Sequence, residues 1–116
     1  LNVYDDAISA ALTGWLAPRP IPLPALAVDA VLSAQGVRLV GWSLRETSLN
    51  PATVDLYTGG GTNGTRVASL TIAAGGSSVI AIPDGGVLCE SGLFIEIVSG
   101  TLTGAVWVRF PAPRLD

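Results

Sequence analysis

VRLVGWSLRETS, residues 37–48, alternates apolar and polar side chains and is stopped by Asn50-Pro51. Val40, Trp42 and Leu44 fall on one parity and Val37 and Leu39 on the other, as expected of a strand covered on both faces. Strand-like runs continue from here to Phe110. ATVDLYT (52–58) sets Val54 and Leu56 inward against Thr53, Asp55 and Tyr57 outward. TRVASLTI (65–72) and SSVIAI (77–82) flank Ala74-Gly75-Gly76, a hairpin signal. Pro83-Asp84-Gly85-Gly86 is a turn, with proline presetting φ and glycine accepting positive φ. GVLCESG follows. LFIEIVSG then points Leu93, Ile95 and Ile97 inward, and GAVWVRF sets Val106, Val108 and Phe110 against Trp107 and Arg109.

Upstream of this block, LAVDAVLSAQG (26–36) reads as a lead-in strand closed by a Gln35-Gly36 turn. Short strands spaced at roughly 8–12 residues, with no helical pattern after residue 17, predict an all-β fold. The expected architecture is a two-sheet antiparallel sandwich, jelly-roll-like, over residues 26–116, with an extended N-terminal arm over residues 1–25.

The arm has two parts. In LNVYDDAISAALTGWLA, Tyr4, Ile8, Leu12 and Trp15 or Leu16 recur at helical spacing, so the segment reads either as a short amphipathic helix or as an extended apolar arm. APRPIPLPA follows, with prolines at 18, 20, 22 and 24. Proline at every second position fixes φ and removes alternate amide donors, which excludes helix and central strand. The expectation is a stiff strut carrying Trp15, Leu16, Ile21 and Leu23 away from the body.

Only 13% of the residues are charged and 49% are apolar, a surface suited to burial against partners. All six cations are arginines, scattered singly, so no basic stripe exists for a row of phosphates and nucleic acid is not expected as a partner. No apolar run reaches the roughly 20 residues that span a bilayer, and no membrane partner is expected. Leu1, in place of an initiator methionine, suggests that the chain is trimmed from a longer one.

The chain has no histidine, no lysine and a single cysteine, Cys89, which leaves no internal disulfide and no Cys/His metal site. Cys89 reads as a small buried hydrophobe. No cofactor is expected. The Gly59–Gly64 loop lacks the lysine and the following helix of a phosphate-binding loop. Acid–base chemistry would have to come from Glu46, Glu90, Glu96, Asp55 and Asp84, all expected at exposed positions where nothing raises a carboxyl pKa. The chain is therefore not expected to be an enzyme. Trp42 and Trp107 are expected on strands, and Trp107 beside Arg109 on one face suggests a partly exposed stacking patch.

GWSLRETS, ATVDLYTGGGTNGTRVASLTIAAGGS and GLFIEIVSGTLTGAVWV together resemble the glycine-punctuated, short-stranded bodies of small virion proteins of tailed bacteriophages. The resemblance covers Val37 to Phe110 and rests on composition and turn order. It implies a structural subunit at the particle surface, either a capsid decoration (cement) protein or a minor tail or fibre component, and carries over no catalytic residues. The expected function is a decoration protein that binds the major capsid protein, or another virion protein, and stabilises the head shell. Its partner-binding residues are expected to be Tyr4, Ile8, Leu12, Trp15, Leu16, Ile21, Leu23, Trp107 and Arg109. A homo-oligomer is expected, a trimer being favoured because it suits three-fold positions of a shell. The alternative from another class is a carbohydrate-binding β-sandwich module.

Overall fold

The computed structural model describes residues 14–112. Among these, nine strands follow in order: β1 Arg19–Leu26, β2 Ala30–Ser33, β3 Val37–Glu46, β4 Ala52–Thr58, β5 Arg66–Ile72, β6 Ser77–Ala81, β7 Val87–Cys89, β8 Leu93–Ser99 and β9 Leu102–Arg109. Sheet I runs β1-β9-β3-β6, with the short β7 also paired to β3, and sheet II runs β2-β8-β4-β5. All pairings are antiparallel.

The partners are nested: β1 with β9, β2 with β8, β3 with β6 and β7, β4 with β5. A long antiparallel hairpin wrapped upon itself gives this order, and it is the jelly-roll wrap of a two-sheet sandwich. Leu23, Leu39, Leu44 and Val106 of sheet I close on Val54, Leu56, Leu93 and Ile95 of sheet II. Trp42 is buried in this core and its indole Nε1–H donates to Ser78 Oγ at 3.0 Å. Cys89 is fully buried, and burial pushes its thiol pKa up.

Two expectations are corrected here. In β3, Val37, Leu39, Trp42 and Leu44 are all buried in one core, whereas simple alternation splits them between two faces. The register against β9 shifts between Leu39 and Gly41, and this bulge moves Trp42 onto the parity of Leu39. Gly41 is required there, because a Cβ would run into the carbonyl oxygen of Ile80 on β6.

The boundary of the body also moves. Residues 19–26 are the edge strand of sheet I, so the proline-rich segment belongs to the sandwich that was expected to begin at residue 26. An antiparallel strand turns alternate amides toward its neighbour. Prolines at 20, 22 and 24 leave the amides of Arg19, Ile21 and Leu23 for β9 and remove donors only along the free edge. Leu23 is 3% exposed and Ile21 packs against the core. Leu23 is therefore not available to a partner and Ile21 is so only in part, in contrast to the strut reading. The ladder continues beyond β1, where the Leu16 amide donates to Phe110 O at 2.8 Å and the Ala112 amide to Gly14 O at 3.0 Å.

Candidate docking surface

The outward parity of sheet I can be followed strand by strand. On β9 it comprises Thr103, Ala105, Trp107 and Arg109, and on β3 Arg38, Gly41, Ser43 and Arg45. Cross-strand pairing arranges them in rows. Pro20, Trp107, Gly41 and Ala81 form one row, and Pro22, Ala105, Ser43 and Val79 the next. Trp107 is thus flanked by a proline on one side and a glycine without a side chain on the other. It keeps 39% of its surface exposed, and Val79, on the edge strand β6, keeps 71%.

A third row ends the face on the other side of Trp107. Arg38 and Arg109 are direct cross-strand partners, with Leu88 of β7 beyond Arg38. The Arg38 guanidinium lies over the Trp15 ring, 5.2 Å from its centroid, a cation–π contact that holds the indole at the sheet surface. The Arg109 Nε–H donates to Leu16 O at 2.7 Å, which fixes the side chain along the face. Trp15 itself bridges to Pro111. Among the described residues this face carries three arginines, Arg38, Arg45 and Arg109, and no Asp or Glu.

Of the residues expected to bind a partner, the structure brings together Trp15, Leu16, Trp107 and Arg109, buries Leu23 in the core and turns Ile21 partly toward it. Tyr4, Ile8 and Leu12 lie outside the described residues. Arg38, Pro20 and Pro22 were missed by the sequence reading. A signal for Arg38 was present, since it shares parity with Ser43 and Arg45 once the bulge at Gly41 is allowed for.

The outward face of sheet II has a different character. Tyr57 and Phe94 are direct cross-strand partners, as are Asp55 and Glu96. The Tyr57 hydroxyl donates to Glu96 Oε1 at 3.4 Å, and Arg66 lies 4.0 Å from Asp55 Oδ2. Asp55 Oδ1 is buried with no hydrogen-bond partner among the described residues. Asp55 was expected to be exposed but is only 8% so, enclosed by neighbours on its own sheet face.

Glu46 departs further from expectation. It is 1% exposed, at the end of β3, and its carboxylate accepts from the amides of Ser48, Asn50, Gly75 and Thr101 and from the Ser48 hydroxyl. Burial alone would raise its pKa, but these donors outweigh that and bring it down to about 2. It is a fixed anion that ties loops together. Glu90 lines a shallow cleft of about 370 Å³ with Thr58, Val67 and Val87, and no second carboxylate shares it. Among the described residues no group of three or more Cys, Asp and Glu is placed to hold a metal ion. Comparison of the chain with protein families, with curated proteins and with solved structures finds no match.

Proposed function

We propose that this chain is a structural protein of a tailed-phage particle, a decoration subunit that docks on the head shell through the outer face of sheet I. The observation that carries the reading is the grouping of Trp15, Trp107, Arg38 and Arg109 on one face that carries no carboxylate among the described residues. Tryptophan and arginine are the residues most enriched at interface hot spots, because each buries a large rigid group while retaining a polar handle. The jelly-roll body supplies a rigid platform, and repetition over a shell turns modest contacts into a stable coat.

Rebinding to particles that lack the protein tests this. Trp107→Ala is expected to stay folded by circular dichroism and to lose roughly 2 kcal/mol of binding, about 30-fold in affinity. A variant that decorates particles like the parent chain would overturn the assignment of this face. A carbohydrate-binding module is the reading from a different class, favoured by the adjacency of Tyr57 and Phe94 beside two carboxylates on sheet II. Glycan binding that is lost in Tyr57→Ala would establish it instead.

A further inference from the structure

The two faces of the sandwich carry matching pairs of opposite charge. On sheet I, Arg38 stands directly opposite Arg109, and on sheet II Asp55 stands directly opposite Glu96. Both pairs have the spacing of cross-strand neighbours, about 4.5–5.5 Å between Cβ atoms. Each is flanked by aromatic rings two residues along the strand: Trp107 beside Arg109, Tyr57 beside Asp55, and Phe94 beside Glu96. Like charges directly opposite one another destabilise an isolated sheet. Within the chain these charges are met chiefly by neutral groups: Arg38 lies over the Trp15 ring and donates to Gly86 O, Arg109 donates to Leu16 O, and Glu96 accepts from the Tyr57 hydroxyl. Among the described residues the ion pair is the long Arg66–Asp55 contact, and Asp55 Oδ1 has no hydrogen-bond partner there.

We infer that copies of this chain stack face to face, the Arg38/Arg109 face of one against the Asp55/Glu96 face of the next. The inference rests on the sheet I face being a docking surface and names a second copy as an occupant. Glu96 is the reachable carboxylate, since it is half-buried whereas Asp55 lies mostly below the surface and reinforces the negative field. A guanidinium brought over this spot also meets the Tyr57 and Phe94 rings, and a carboxylate brought to the other face meets two arginines. The two faces look in opposite directions, so the contact is heterologous. Repetition extends a column in place of the closed trimer favoured from the sequence. Four strands of about seven residues present roughly 450 Å² per copy. That is below the roughly 800 Å² per partner of a standard stable interface, so the association is reversible and salt-sensitive.

Sedimentation velocity over a range of protein concentrations tests this. At low ionic strength the average mass of the parent chain is expected to climb past that of a dimer with concentration, and to return to the monomer in high salt. Arg109→Glu and Glu96→Arg are each expected to hold the protein at the monomer mass. The double reversal in one chain restores association, as does an equimolar mixture of the two single variants, each of which keeps one native face. Arg38→Glu replaces Arg109→Glu if loss of the Leu16 contact prevents folding. A parent chain that stays monomeric at low ionic strength, single variants that associate like the parent, or a double reversal that stays monomeric would each overturn the inference. Particle binding by a strictly monomeric chain would refute stacking and leave the decoration reading standing. Stacking without particle binding would do the reverse.

Discussion

Glu46 and Thr101 are separated by 55 positions in sequence, yet the Thr101 amide donates to Glu46 Oε2 at 3.0 Å. The same carboxylate holds the Ser48 and Asn50 amides in the turn after β3 and the Gly75 amide in the β5–β6 connection, which crosses from sheet II to sheet I and is not the hairpin expected from its glycines. Three chain reversals at one end of the sandwich are therefore fastened to one anion.

Replacing that anion is expected to be costly. Glu46→Gln keeps the shape but places an NH₂ group among donors, leaving buried amides unpaired. Its melting temperature should fall by considerably more than that of Ser48→Ala, which loses a side-chain bond worth about 1 kcal/mol. Equal melting temperatures for the two variants would show that the carboxylate is not the fastening.

Acid should act through the same group. The folded pKa of about 2 lies below the ordinary 4.5, so the unfolded chain binds this proton more readily. The contribution of Glu46 is complete above pH 4.5, declines as the pH falls, and is gone below about 2. Thermal melts across this window should show parent stability dropping toward acid, with a visibly flatter slope in Glu46→Gln.

Tyr57 titrates in the opposite sense. Burial, then the negative charges of Glu96 and Asp55, raise its pKa above the ordinary 10.0, with Arg66 opposing in part. Its neutral form is favoured by folding, so this contribution is present below pH 10 and is lost as the pH rises through the raised value. Phenolate absorbance should appear later in the parent than in Glu96→Gln.

Leu49 is a place where stability can be gained. It has a φ of 64° and is 78% exposed, so a bulky side chain occupies left-handed backbone with little burial in return. Leu49→Asn, whose short side chain tolerates this region, is expected to gain about 1 kcal/mol and raise the melting temperature by a few degrees. An unchanged or lowered melting temperature would mean that the Leu49 contact near Gly75 outweighs the strain.

The prolines of β1 predict behaviour at high concentration. Pro20→Val with Pro22→Val restores two amide donors along the free edge of sheet I. The double variant should remain folded but aggregate on concentration, with thioflavin binding that the parent lacks.

Most of the sandwich was legible because runs such as Leu93–Ile97 and Ala105–Arg109 alternate, and period-two patterning reports which side chains face the core, although β9 begins earlier, at Leu102, and runs straight through Gly104. The failures have physical causes. A bulge at Gly41 cancels alternation in β3, and nothing local announces it, since the close approach that demands glycine comes from Ile80 on another strand. Proline at alternate positions excludes a central strand but is compatible with an edge, and only the partner β9 distinguishes an edge strand from a strut. Glu46 shares the parity of Trp42 and Leu44, but a carboxylate reads as exposed from sequence, because the donors that make its burial possible arrive from two distant turns. The adjacency of Trp107 and Arg109 was readable within one strand. Their grouping with Arg38 and Trp15 depended on long-range pairing.

Gly14 and Ala112, at the far end of the ladder that β1 and β9 begin, are hydrogen-bonded to each other. A tensile load applied between these two residues would act across that bond and then on the next pair inward, opening the β1–β9 seam like a zipper. A load applied between one of them and the docking face would instead pull along β1 and strain several bonds of the seam together. The direction of loading would therefore govern mechanical resistance: the seam is weak when Gly14 and Ala112 are pulled apart and strong when the pull runs along β1.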